Sequence, residues 1–570
     1  MNSIIVLILG ALGIVIGYGW YARRIDRDIV KPDPSKATPA KMYMDGVDFA
    51  PASRNVLFGY QFKSVAALGP ITGPIIAVQW GWLPALLWIL LGVFFIGWVH
   101  DYGAMIMGVR REGDTMSALS YKLISPRARN ILLIFIYFYL LLIMGSFGNA
   151  VGKVLMTNPK VPFGMIALVL MGVVAGQMTY KWKQDIILTT VVTVVLTFVG
   201  IWVSTLPFMA NIFSAIYGLP ESPTIFLGNT QAQVIGTLLV VIFCYLGSVL
   251  PIWSFAQPVN YVSFWIVTLG MLGGVIGMLI WRPGMGDFPA FTTFTTASGP
   301  LWPMLFVTIA CGAVSGWHSL VSTSGTARQL EKETDALPVG GGAMFMEAAF
   351  AVIAFLTATV AFQGWQGYQD AGGAPKALAV FAGGLANFLD HIGIPHDFGV
   401  AYGSVFLVIM ALTIMQLVVR FMRVASSELL GDALPVMKNI HVGSIIALLL
   451  TVLFVWIIPW LIIWGAFGAA NQLMAGLALL LIALWLMSEG RSHIWALYPA
   501  AFMIVTTIAA LLYFVYTQLF INLPKTTTFQ TSLASASIGI ICLVLVGAAA
   551  VLIVDGWRAI QRARKKAVEA

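Results

Sequence analysis

Charge is what this sequence has least of. Only 9% of its 570 residues are Asp, Glu, Lys or Arg, against about a quarter in soluble domains, so the chain cannot be a string of water-soluble units. Cysteine is nearly absent. Cys244, Cys311 and Cys542 lie singly in apolar stretches, with no disulfide framework and no metal-ligand spacing. No P-loop or other nucleotide-binding pattern occurs, which argues against work driven directly by ATP and calls for no cofactor. No segment is long and polar enough to form a soluble catalytic or signalling domain, and no catalytic constellation is visible, so the chain does not read as an enzyme.

What is present is apolar surface. The composition is 59% hydrophobic with a mean hydropathy of +0.91, and a bilayer core is crossed by about 20 mostly apolar residues per helix. The expected class is all-α, a polytopic integral membrane protein with about 15 transmembrane helices, over 3–21, 55–82, 84–108, 130–152, 163–180, 185–210, 232–256, 260–281, 300–326, 341–363, 400–424, 441–463, 466–487, 493–517 and 534–555. The first of these lacks the basic start and small-residue cleavage site of a secretory signal and is expected to be a retained helix. With strict alternation, 25 of the 31 basic residues fall on one side, and only Lys153, Lys160, Arg282, Lys376 and Lys525 on the other. Basic loops stay on the cytoplasmic side, so the N-terminus is expected outside and the C-terminus inside. The net charge of +8 resides in loops and in the tail "WRAIQRARKKAVEA", a pattern that suits anionic headgroups of the lipid bilayer rather than nucleic acid. The outer stretch 363–399 is expected to contain a short helix lying on the membrane surface.

Two spans carry breaks. "FKSVAALGPITGPIIAVQWG" holds Gly69-Pro70 and Gly73-Pro74, and "LGSVLPIWSFAQP" holds Pro251. Each is readable as a simple proline kink, but non-helical backbone at membrane depth is tolerated only when buried in protein or facing a watery cavity. Two breaks at corresponding positions point to a binding site. The expected organisation is an N-terminal helix and basic loop (1–54), a first five-helix repeat (55–210), a second repeat of opposite orientation (232–424), accessory helices (441–555) and a basic tail (556–570).

Ionisable groups inside apolar spans are costly and therefore candidates for function. Lys63 is near enough to a helix end to snorkel, or could pair with Asp101 of the neighbouring helix. His100 and Asp101 place an imidazole beside a carboxylate, a pair able to pass a proton. Glu347 is a candidate proton carrier, or a carboxylate bonded to backbone or serine. Ser315, His318, Ser319 and Ser322 recur at helical spacing. Small hydroxyl residues also serve helix packing, which accounts for the serines better than for His318. Ser322 and Thr323 could offer oxygens to sodium. A metal site from His100, Asp101 and His318 has no local ligand spacing to support it, so whether a metal binds stays open. So does the oligomeric state.

The blocks "DGVDFAPASRNVLFGYQF", "GPITGPIIAVQWG", "VLPIWSFAQPVNYVSFW", "FVTIACGAVSGWHSLVSTSGTARQL", "GGGAMFMEAAFAVIAFL" and "FGAANQLMAGLAL" resemble the carbon-starvation (CstA) family over roughly residues 42–485. The resemblance implies a LeuT-like five-plus-five inverted repeat in a prokaryotic inner membrane. It implies peptide uptake or, as in some members, proton-coupled pyruvate uptake. From the residues themselves the expectation is a secondary transporter working by alternating access and coupled to H+, with a carrier of another small carboxylate coupled to Na+, or a channel, as the alternatives. The substrate would lie among Gly69, Pro70, Gly73, Pro74, Pro251, Ser315, His318 and Ser319. Coupling would fall to His100, Asp101, Glu347, Ser322 and Thr323. The chain departs from the family's usual pattern where it reads Tyr60-Gln61 instead of two histidines, His100 instead of glutamine, and Val259-Asn260 instead of Arg-Asp. An imidazole and an amide exchanged between positions 61 and 100 is one reading of the first two changes.

Overall fold

In a computed structural model, which describes residues 2–45 and 49–569, the chain is a bundle of helices with two very short β-hairpins in its loops. Gly46, Val47 and Asp48, inside the first family block, lie outside the described residues, as does the last residue of the tail. Among the described residues thirteen continuous helices are long and apolar enough to cross a membrane. Two further apolar segments each consist of two short helices separated by non-helical backbone, which completes the fifteen expected.

In chain order the fifteen are α1 (Ser3–Val30), the interrupted α2 (Arg54–Val65 and Gly69–Ala77), α3 (Trp82–Arg110), α4 (Pro126–Leu155), α5 (Pro162–Lys181), α6 (Ile186–Thr205), α7 (Gln231–Val249), α8 (Ala256–Trp281), the interrupted α9 (Leu301–Thr308 and Trp317–Ser324), α10 (Glu333–Thr359), α11 (His396–Leu430), α12 (Ile440–Ile457), α13 (Trp460–Ser488), α14 (Ile494–Lys525) and α15 (Phe529–Lys565). Their starts follow ordinary capping chemistry. Ser125 caps α4 ahead of Pro126, Asp185 caps α6, and Thr230 with Gln233 forms a capping box on α7, each side chain accepting from backbone N–H groups that have no helical partner.

The connections sort into two ends. At one, Ser3 N donates to the carbonyl of Pro283, Trp82 N to Pro289, the Tyr368 hydroxyl to Ile75 and Gln530 to Leu227. At the other, Ala52 bridges to Leu330, Arg54 pairs with Asp335, Arg110 with Glu333 and Glu489, and Arg562 donates to Ile124. This separation is what fifteen alternating crossings produce.

Burial ranks the helices. In the most apolar stretch of α13, 94% of residues are buried, and in α11 89%, against 22% in α1. So α13, expected among accessory helices, lies in the core, whereas α1 is peripheral. Two further differences concern the loops. The stretch 363–399, expected to hold a short helix on the membrane surface, holds two: Trp365–Asp370, where only Tyr368 is buried, and Ala377–Asp390, which is largely buried and packs against α8, α10, α11 and the second half of α2. Another exposed helix is Pro207–Tyr217, where only Tyr217 is buried.

Candidate functional site

The two interruptions meet. α2 leaves the helix at Ala66, which is extended at φ −71°, ψ 107°, and resumes at Gly69. α9 leaves it at Ile309 and resumes at Trp317. A Cβ on Gly73 would lie 2.6 Å from the Thr308 carbonyl oxygen and 3.1 Å from Ile309 Cα, and one on Gly69 would overlap the Cys311 side chain. Glycine at these positions lets one broken backbone rest directly on the other. Gly69, Pro70, Gly73 and Pro74 are all buried.

Beside this junction five helices converge on a buried ionisable chain. α3 supplies His100 and Asp101, the second half of α9 supplies His318, α10 supplies Glu347, and the first half of α2 supplies Lys63, bonded to Thr413 of α11. His100 Nδ1 lies 2.8 Å from Asp101 Oδ1, and His318 Nδ1 lies 2.7 Å from Asp101 Oδ2. His318 Nε2 is 3.2 Å from Glu347 Oε2, close but not aligned as a hydrogen bond. Both Glu347 oxygens, His318 Nε2 and His100 Nε2 have no hydrogen-bond partner among the described residues. All four side chains are fully buried. Burying polar groups without partners is costly, and in a membrane such groups mark ion or proton paths.

Lys63 does not bond Asp101. Its Nζ donates to Thr413 Oγ1 at 2.7 Å, and that hydroxyl donates to the Ile409 carbonyl at 2.8 Å. Ser319 and Thr323 turn their hydroxyls back to the carbonyls of Gly316 and Ser319, each at 2.7 Å. Ser322 accepts from Gln61 Nε2 at 3.0 Å, and Thr326 donates to Gln61 Oε1 at 2.5 Å. Gln61 and His100 therefore sit in different neighbourhoods, and no bond joins them among the described residues. Ser315 is not on the helical face expected for it. It lies inside the interruption of α9, its hydroxyl donating to Asn471 Oδ1 at 3.3 Å. Pro251 is a correction. α7 ends at Val249, and Pro251 sits exposed in the turn before Ala256, because a proline that cannot continue a helix serves equally to end one at the surface. The interruption matching that of α2 is in α9. Among the described residues no group of three or more His, Cys, Asp or Glu side chains is placed to hold a metal ion.

The sequence profile described as "Carbon starvation protein CstA" matches residues 2–368 and 366–510. The chain belongs to that family. Among curated CstA-family relatives, the "Peptide transporter CstA" of Escherichia coli K12 is 28% identical across 90% of this chain and 81% of its own length. That of Campylobacter jejuni is 27% identical across 89% and 79%. The "Pyruvate/proton symporter BtsT" of E. coli is 30% identical, across 61% of this chain and 47% of its own length. Among solved structures, MhsT in complex with L-phenylalanine is 15% identical over 89% of this chain and 99% of its own, with a TM-score of 0.48. The Eremococcus coleocola manganese transporter is 13% identical over 90% and 99%, also with a TM-score of 0.48.

Three site groups of this CstA-family chain escape a search restricted to ionisable residues. Asn471 and Gln472 of α13 reach the second interruption, and Tyr139 of α4 bonds the Asn471 amide behind it. The signal available for them was an Asn-Gln pair amid the apolar run "FGAANQLMAGLAL", since neutral amides in a membrane span also need partners.

Proposed function

We propose that the chain is a secondary active transporter, a carrier and not an enzyme, that takes up peptides or pyruvate across the cytoplasmic membrane by proton-coupled alternating access. The relatives named as a peptide transporter and a pyruvate/proton symporter support the substrate class. The observation that carries the coupling is the buried relay His100–Asp101–His318–Glu347, ending on a carboxylate whose two oxygens have no hydrogen-bond partner. With Nδ1–H of His318 donating to Asp101, its Nε2 is a base facing Glu347, so a small turn of the carboxyl lets a proton pass to the ring. The sodium alternative loses support because Ser322 is bonded to Gln61 and Thr323 to its own helix. The substrate's carboxylate would take the helix end exposed when the paired interruptions separate, drawn by the dipole of the first residues after the break.

The repeat is LeuT-like with its second unit starting at α9. α2 and α9 are seven crossings apart, an odd number, so they run in opposite directions, as inverted repeats require. The distribution of basic residues between the loops supports a topology with the N-terminus outside and the C-terminus in the cytoplasm.

The test is uptake into proteoliposomes of labelled pyruvate and of di- and tripeptides. Wild-type uptake rises when the exterior is made acidic relative to the lumen, because protons then run inward with the cargo. Glu347→Gln cannot release a proton. It should lose gradient-driven accumulation by about a hundredfold, on the scale of a lost general acid–base group, while retaining substrate counterflow. Uptake by the wild type that ignores a pH gradient would falsify the proton reading.

A further inference from the structure

We infer that Asn471 is the positioning residue that closes the second interruption and thereby places His318, an inference that rests on the transport reading for its part in the cycle. Eight consecutive residues, 309–316, lie between the two halves of α9. Backbone freed from a helix at this depth needs partners from elsewhere in the protein. Asn471 supplies several, to the second half of the gap and to the residue that follows it. Asn471 Oδ1 accepts from the backbone N–H of Trp317 at 3.1 Å, from Ser315 Oγ at 3.3 Å and from the Tyr139 hydroxyl at 2.7 Å. Its Nδ2 donates to Ser315 Oγ at 3.1 Å and to Cys311 Sγ at 3.5 Å. Its own carbonyl accepts from Gly316 N at 3.0 Å, so close that Gly316 has no room for a Cβ.

The neighbouring Gln472 Nε2 donates to the Ile309 carbonyl at 3.2 Å, so two consecutive amides grip both ends of the interruption. Trp317 is the first residue of the resumed helix and the one before His318. Fixing its N–H therefore fixes the turn that presents the imidazole to Asp101 and Glu347. A leucine would fill the same volume in α13, but it would leave these groups unpaired. Apart from the Tyr139 bond, which ties α4 to the amide itself, these bonds link α13 to α9, so the second half of α9 cannot swing without breaking them.

Cys311 reports on this without any substrate. It is 3% exposed, while Cys244 and Cys542 are 0% exposed and lie on α7 and α15. Three proteins each retaining one of these thiols, the other two replaced by alanine, would be labelled with a membrane-permeant maleimide. Asn471→Ala should speed labelling of Cys311 at least about tenfold and leave the other two within about twofold. Tyr139→Phe removes one bond to the amide and no more volume than a hydroxyl oxygen, and should still give about threefold, the scale of one neutral hydrogen bond. In uptake, Asn471→Ala should lower turnover about tenfold with KM within about twofold. Faster labelling of all three thiols means lost folding, and acceleration by Asn471→Ala without any by Tyr139→Phe means only a local hole. Either result, an unchanged Cys311, or a raised KM at normal turnover overturns the inference. A wild-type protein that carries nothing removes the transport reading and leaves the labelling result standing.

Discussion

The two interrupted helices solve one physical problem in different ways. In α2 the gap is three residues, 66–68, and its ends are closed largely by local bonds. The Leu68 carbonyl accepts the N–H of Ile71 and of Thr72 and the Thr72 hydroxyl, while Ala66 N donates to Phe62. Pro70 and Pro74 have no N–H to satisfy. In α9 the gap is eight residues, too long for such closure, and it depends on Asn471 and Gln472 of a different helix. The short break is built to stay as it is. The long one, held by side chains that can let go, is built to change, and Trp317, which resumes the helix after it, leads directly to His318.

The largest effect should come from forcing the two breaks apart. Gly73→Val would place carbon against the backbone of Thr308 and Ile309, atoms that cannot yield as a flexible side chain does. Overpacking of this kind costs about 3 kcal/mol or more. We expect a large fall in thermal stability and no uptake, whereas Gly59→Ala on the same helix, where a Cβ meets nothing within 4 Å, should behave as wild type. Uptake retained by Gly73→Val would mean that contact between the breaks is incidental.

Next in size is the contrast between a charge and its partner on α2. Lys63 is 1% exposed and its ammonium donates to Thr413. Replacing a buried charge with an apolar side chain of similar shape is often neutral or stabilising, whereas stripping its partner is not. Lys63→Met should therefore keep or raise the melting temperature while abolishing coupled uptake. Thr413→Val should destabilise by about 2 kcal/mol, since it leaves the ammonium buried without that bond. The reverse order of stabilities would show that Lys63 is chiefly a structural tie and has no part in coupling.

Much of the fold was readable because hydropathy and basic-loop alternation are bulk signals. The count of fifteen included α2 and α9, which no continuous helix long enough to cross would have disclosed, since apolarity persists across a break that helix geometry does not. His100, Asp101, His318 and Glu347 stood out because each is expensive in an apolar span. Which of them touch, and through which nitrogen, depends on the helix rotation and crossing that only the packed structure supplies. Pro251 misled because one residue type marks both an interruption at depth and the end of a helix at the surface. Asn471 was hidden for the opposite reason. Its role comes from six bonds to two elements distant in sequence, α4 and α9, and a neutral amide alone does not announce that it has them.

The smallest effect concerns the far end of α2, where the Tyr368 hydroxyl donates to the Ile75 carbonyl at 2.9 Å. This tie comes from the 360–395 connection, whose helix Ala377–Asp390 also packs on the second half of α2. If the short break is a fixed element, losing one neutral bond there should cost about 1 kcal/mol and lower the melting temperature of Tyr368→Phe by about 2 °C or less, with turnover and KM near wild type. A marked change in turnover at nearly normal stability would place the moving part in the second half of α2. The division of labour between a rigid first interruption and a yielding second one would then have to be reversed.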